Sequence, residues 1–193
     1  INSALLDDLS KNDPVKLDFR FFEDNFAGVR PFEMALDPGP NRTVFDLEVL
    51  RETEQIENHL QQSYGLNFVA SPVTIIKSVR KALNGGMVEE YRLPADEDEL
   101  ARLLRKVKLF RQKPEFRALA LPDASAGRLT GRMADVGSIK VHALNNGLQQ
   151  FLRTSVDSTV VQTRLTGSAN LIDKNNENLS RDMIIGMTLD IVM

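Results

Sequence analysis

The stretch from Arg30 to Asp37 (RPFEMALD) alternates strictly, with Phe32, Met34 and Leu36 on one side. A segment of period two has to lie in a sheet that is covered on one face, which is a strong constraint on the rest of the chain. Pro38-Gly39-Pro40-Asn41 breaks the strand. From Asp46 the period becomes helical, with Val49, Thr53, Ile56, Leu60 and Tyr64 as the inward stripe and Gly65 as the stop. Leu66 to Ser71 (LNFVAS) is predicted as a second strand. The same order returns near the far end. Arg117 to Leu121 and Arg128 to Asp135 are predicted as short strands about the turn Pro122 to Gly127. Ser138 is predicted to cap a helix with Val141, Leu144, Leu148, Phe151 and Leu152 inward, and Ser158 to Thr166 (STVVQTRLT) is the last predicted strand. Two strand–helix–strand units predict an α+β fold of the ferredoxin-like, split βαβ kind.

Between the units lies a mostly helical insertion, residues 72–116. Ser71-Pro72 caps its first helix, whose predicted inner face is Val73, Ile76, Val79 and Leu83 and which stops at Gly85-Gly86. After Tyr91-Arg92-Leu93-Pro94, an acidic turn from Asp96 to Glu99 opens a helix carrying Leu100, Leu103, Leu104 and Val107. Acids at its start and Arg105, Lys106 and Lys108 at its end suit the helix dipole. Ahead of the first unit, Asp13-Pro14 starts a helix on which Val15, Phe19, Phe22 and Phe26 recur, with Gly28 as the stop. Four of the ten Phe residues fall between Phe19 and Phe26. The expectation is a helix seated on a core, the alternative being a lipid- or ligand-facing surface.

Leu171 to Met193 reads as a helix that grows more apolar and ends without a Gly or Pro stop. Its run from Met183 to Met193 is about half the roughly 20 residues of a membrane span, and Asp190 interrupts it. The start, Ile-Asn-Ser, has no initiator Met and no signal pattern. These features lead us to expect a domain cut from a longer protein. Residues 1–29 would be a helical lead-in from one membrane span, 30–167 the domain, and 168–193 a helix leading to the next span.

Chemistry is thinly signalled. A net charge of −3 removes the usual electrostatic case for a nucleic-acid partner. The absence of cysteine rules out disulfides, thiolate-held metals and a thiol nucleophile, and with only His59 and His142 a histidine-rich metal site is not expected. Gly127 to Gly131 lacks the following Lys of a phosphate loop and does not open a helix. Glu89-Glu90 and the run Asp96 to Glu99 need no role beyond an exposed loop and a helix start. His59 is predicted on the polar side of its helix and His142 beside a buried stripe, neither with a partner at catalytic spacing. Asn41-Arg42-Thr43 and Asn178-Leu179-Ser180 match the glycosylation pattern, which is common by chance. Glu48, Glu52, Glu54 and Glu57 read as a solvated acidic face, and the basic run Arg102 to Arg117 as a solvated face paired with it, the alternative being a surface for anionic lipid headgroups or nucleic acid. Asp190 is an ionisable group near an apolar segment, expected to sit hydrated at an interface. No catalytic, cofactor-binding or metal-ligating residue is predicted, no cofactor is expected, and the chain does not read as an enzyme.

A series of short pieces runs through this frame in a fixed order. Phe22-Glu23-Asp24-Asn25-Phe26-Ala27-Gly28 leads to Arg30-Pro31-Phe32-Glu33, and Val69-Ala70-Ser71-Pro72 to Ile75-Ile76-Lys77. Gly85-Gly86, Tyr91-Arg92-Leu93-Pro94, and Leu165-Thr166-Gly167-Ser168-Ala169 with Leu171 follow. Together they resemble the large extracytoplasmic loop of the resistance–nodulation–division (RND) superfamily, most of all its MMPL-type branch of lipid and hydrophobe exporters. The Ser71…Lys77 and Leu93-Pro94 pattern is more similar to the second such loop than to the first. The resemblance implies a periplasmic porter domain of a proton-driven transporter in the bacterial inner membrane. It would form part of the passage for lipids or other hydrophobic substrates, with the membrane and a sister extracytoplasmic loop as its partners. That family's proton relay lies in transmembrane helices, so no relay residue is carried over. Hydrophobic positions near Phe19 to Phe26 or in Met87 to Leu93 would line the path, and no individual substrate-binding residue follows. The alternative is a stand-alone ferredoxin-like ligand-binding or regulatory module.

Overall fold

The computed structural model describes residues 9, 10 and 12–167. Its helices are α1 (Pro14–Asn25), α2 (Leu47–His59), α3 (Pro72–Leu83), α4 (Glu97–Val107), α5 (Pro114–Arg117) and α6 (Ser138–Ser155). Its strands are β1 (Arg30–Asp37), β2 (Phe68–Ala70), β3 (Gly127–Met133) and β4 (Gln162–Thr166). The predicted helix from Leu171 to Met193, Asp190 and the Asn178-Leu179-Ser180 triplet lie outside the described residues. No helix among the described residues is long and apolar enough to cross a membrane.

The architecture is α+β, with one four-stranded sheet in the order β2-β3-β1-β4. Every neighbouring pair is antiparallel, so β1 and β2 run parallel to each other with β3 between them. Period-two patterning sets the faces: Phe32, Met34 and Leu36 on β1 and Leu129 and Met133 on β3 are buried on one side. α2 and α6 cover that side, through Val49 and Ile56 on the former, continued by Leu60 just past its end, and Leu148 on the latter.

α2 serves two cores. Val49, Thr53, Ile56 and Leu60 fall on one line of the helix and meet the sheet. Leu47 and Leu50 look about a quarter-turn or more away, into a second core with Val44, Phe45, α3, α4 and Phe116. The helix runs on as a π turn at Leu60–Tyr64 and stops at Gly65, in the left-handed conformation expected of a glycine stop. Tyr64 lies edge-on to Phe32, with ring centroids 5.1 Å apart.

Several sequence expectations are corrected. The segment Arg117 to Leu121 is no strand. Pro114 opens the helical turn α5, which swings Phe116 inward onto Phe45 at 5.7 Å, and one bridge, Ala120 to Gly127, is all the pairing left. The strands predicted at 66–71 and 158–166 shorten to β2 and β4, and the helix cap expected at Ser138 falls on Gly137. On α3, Leu83 is 53% exposed, because Arg80 and not Leu83 turns toward the second core. α1 is not seated on a core: none of its residues is buried, since α2 and α6 already fill the covered side of the sheet. Phe21, Phe22 and Phe26 pack on one another at 5.4 to 6.1 Å, each more than half exposed. The end of α1 is nonetheless pinned: Glu23 accepts from the Asp135 amide at 2.7 Å, and Gly28 lies against the Met133 carbonyl.

Candidate functional site: an apolar groove in the helical insertion

Ser71 and Pro72 start α3 as their sequence requires. The Ser71 hydroxyl accepts from the Val73 amide at 3.0 Å, and Thr74 Oγ1 accepts from the Ser71 amide at 3.0 Å. That capping box sets the helix's rotation. Val73 and Ile76 point into the second core, which leaves Ile75, Val79 and Ala82 along the adjoining line. Facing them across a groove of about 320 Å³ stand Phe116 on the α5 turn, Phe110 at the end of the 3-10 turn before it, and Leu119 just after it. The volume is at the small end of the range of small-molecule sites, about 300–1,000 Å³. Thr74, Ser78 and Glu115 are the polar members of its wall. No hydrogen bond couples Ser78 to Glu115, and Thr74 is engaged by the cap, so the groove has no nucleophile–base pair. Leu83, Met87, Val88 and Leu109, on neighbouring parts of the insertion, are 53 to 80% exposed.

The insertion is held rigid by Arg80, only 5% exposed. Its Nε donates to Glu99 at 2.7 Å, and its Nη1 pairs with the Glu90 carboxylate and donates to the Glu90 carbonyl at 3.3 Å. Glu99 also accepts from the Ala95 amide at 2.9 Å. That backbone bond, followed by Arg80, holds its carboxyl below the usual range. Of the acids singled out in the sequence, Glu90 and Glu99 are therefore structural partners of a buried arginine. Asp96 caps α4 by accepting from the Glu99 amide at 2.8 Å. Met87 to Leu93 is the strap that carries Glu90 to Arg80, with Val88–Glu90 in a single 3-10 turn.

Glu57 is the group that the sequence reading misplaced. It is 8% exposed, on the side of α2 that faces α3, and its Oε1 has no hydrogen-bond partner. Burial raises its carboxyl above the usual value, against the smaller lowering effects of Ser71, Lys77 and Thr74. Its position one heptad after Leu50 was the available signal, since i and i+7 share a helix face. The rest of the acidic face is engaged rather than merely solvated. Glu54 pairs with Lys77 at 2.6 Å, Glu48 with Arg42 at 2.7 Å, and Glu52 accepts from the Asp157 amide at 3.1 Å. No ion pair joins that face to the basic run Arg102 to Arg117.

The histidines do not meet. His59 is half-buried and stacks face to face on Phe151 at 3.9 Å, and burial lowers its ring's proton affinity. His142 is exposed and 3.2 Å from the Asn146 amide nitrogen. In the Asn41-Arg42-Thr43 triplet, Thr43 Oγ1 donates to Asp46 at 2.6 Å at the start of α2. Among the described residues no group of three or more His, Asp or Glu side chains is placed to hold a metal ion. No protein-family model matches the chain, and no curated protein matches it at a significant level.

Proposed function

We propose that this chain is a ferredoxin-like, porter-type extracytoplasmic domain of a proton-driven RND-type exporter of lipids or other hydrophobic substrates, acting at the periplasmic side of a bacterial inner membrane. The observation that carries the proposal is the open apolar groove between α3 and the Phe110 to Leu119 wall, with more exposed apolar side chains on the same insertion. A cleft of that kind takes up an apolar group and, being open, releases it again. The strand order, read from β4 as 4-1-3-2, favours the split βαβ assignment. Thr166 at the end of β4 pairs with Glu33 near the start of β1, so the chain comes in and goes out at one end of the sheet. A domain strung between two membrane spans needs that arrangement.

Two measurements test this. The reading frame of the parent gene, scored for hydropathy, is expected to hold an apolar span on each side of the 193-residue chain, and polar flanks on both sides refute the exporter. Ala82→Arg puts a cation on the rim of the groove. It is expected to weaken uptake of an environment-sensitive fluorescent fatty acid by at least about tenfold, or 1.4 kcal/mol. Unchanged uptake removes the groove from the path. If the frame is polar and the groove still binds the probe, the stand-alone ligand-binding module is the surviving description.

A further inference from the structure

The basic run expected to pair with the acidic face of α2 finds no counter-charge there or elsewhere among the described residues. Residues 102–117 hold seven Lys and Arg and a single acid, Glu115. Among the described residues none of the seven cations makes an ion pair or a side-chain hydrogen bond. Six of them are exposed. Arg111 is half-buried, and its Nε is buried without a hydrogen-bond partner. Nothing in this stretch neutralises the charge that the sequence concentrates in it.

Part of the run forms one line. Leu100, Leu103 and Val107 turn the inner side of α4 to the second core. Arg102, Arg105, Lys106 and Leu109 follow at i, i+3, i+4 and i+7, a helical line on the opposite side. The line passes from the end of α4 onto the 3-10 turn Lys108–Phe110. There Leu109 is 80% exposed, the most exposed large apolar side chain among the described residues. The acids of α4 lie in its first turn, with Asp98 one turn ahead of Arg102 on the same line. Phe110, the next residue after Leu109, belongs to the wall of the apolar groove.

Charge and exposure together select the partner. A net charge of −3 gives the chain no general attraction to anions, so the attraction is local to this stretch. Single-stranded nucleic acid is held by aromatic stacking as well as by charge, and here Phe110 is half-buried and Phe116 buried. An anionic bilayer asks only for cations level with its headgroups and an apolar side chain to enter between them. Arg102, Arg105 and Lys106 supply the first and Leu109 the second. We infer that the outer line of α4 and the turn after it dock the chain on the surface of a bilayer rich in anionic phospholipid, with Leu109 inserted. This contact is separate from the place where the chain enters and leaves the sheet. The run ends where Arg128 bonds to the Ala118 and Leu119 carbonyls, beside Gly127. Gly127 lies opposite Leu36, about 20 Å along β1 from Arg30. Docking through Leu109 also brings the groove, through Phe110, to the lipid surface. The inference holds whether or not the parent protein spans a membrane.

The test is sedimentation of the 193-residue chain with vesicles of equal phosphatidylglycerol and phosphatidylcholine, and with vesicles of phosphatidylcholine alone. Each Lys or Arg near an anionic bilayer strengthens binding about fivefold. Arg102→Gln, Arg105→Gln and Lys106→Gln together are therefore expected to weaken binding to the anionic vesicles about a hundredfold and to leave the neutral ones unaffected. Leu109→Ser is expected to weaken it at least about fivefold. Arg132→Gln with Arg164→Gln, exposed cations on the sheet, is expected to leave it unchanged. All of these positions except Arg164 and Leu109 change only a charged head at an exposed site or, like those two, leave the cores untouched, so urea melts are expected to match the native chain. Equal binding of the native chain to both kinds of vesicle overturns the inference. So does a triple variant that binds as the native chain does, or an equal loss from the Arg132 and Arg164 pair. Binding that survives Leu109→Ser, with a single-stranded oligonucleotide held as tightly as the vesicles, overturns the bilayer in favour of nucleic acid.

Discussion

Replacing Glu57 by Gln removes a buried ionisable group that lacks a full set of partners. The carboxyl sits between α2 and α3, 8% exposed, with Oε1 unpartnered. Leaving a buried polar atom unsatisfied costs about 1–3 kcal/mol, more for a charged group. Burial raises the carboxyl above its ordinary 4.5 in the folded state, so the folded chain binds this proton more tightly than the unfolded chain. The stability that goes with that proton is fully present below the ordinary value. It is lost as pH rises through the window up to the raised folded value. Gln does not titrate. The variant is therefore expected to match the native chain at the acid end of the window and to be more stable above it, by about 1–3 kcal/mol. At about 2–4 °C of melting temperature per kcal/mol for a domain of this size, the gain is readily measured. Urea melts of both proteins across a pH series, from about pH 4 to 8, read it directly. Parallel curves, or a native chain that gains stability over Glu57→Gln as pH rises, refute the account, because Lys77, Ser71 and Thr74 would then outweigh burial.

Arg80→Ala leaves the Glu90 and Glu99 carboxylates with only the exposed Arg92, 4.0 Å from Glu90, as a neighbouring cation. It is expected to cost about 3 kcal/mol in urea melts, the low end for a broken buried pair because Glu90 and Glu99 each keep about a fifth of their side-chain surface exposed, 20 and 21%. Arg80→Lys is expected to recover less than half, since an ammonium cannot grip both acids in the guanidinium's planar fork. Gly28→Ala is expected to lower stability by at least about 1–3 kcal/mol. Its φ of +101° disfavours a side chain, and a Cβ would lie 2.2 Å from the Met133 carbonyl oxygen, so a melting temperature equal to the native one would show that the α1–β1 junction is looser than described.

Local periodicity carried a large part of the fold. Phe32, Met34 and Leu36 had to share a face, and so did Val49, Thr53, Ile56 and Leu60, because a strand repeats every two residues and a helix every 3.6. Asp13-Pro14, Ser71-Pro72 and Gly65 marked helix ends through their own backbone and hydroxyl chemistry. Where period gave no clear answer, the prediction failed. Arg117 to Leu121 alternates over too few residues to outvote Pro114, and α3's stripe drifted because a buried arginine reads as a solvated one in a sequence.

What the sequence determined by itself, then, is most of the strands and helices and the apolar side of β1 and α2, since those depend on neighbours a few residues away. Tertiary structure alone decided what each side meets. It inserted β3 between β1 and β2, turned Glu57 into a buried acid, left Phe21, Phe22 and Phe26 of α1 exposed, and brought Phe110 and Phe116 across from α3 to make the groove. Each of these is a contact between residues tens of positions apart. Their energies come from desolvation and packing, and no local period records them.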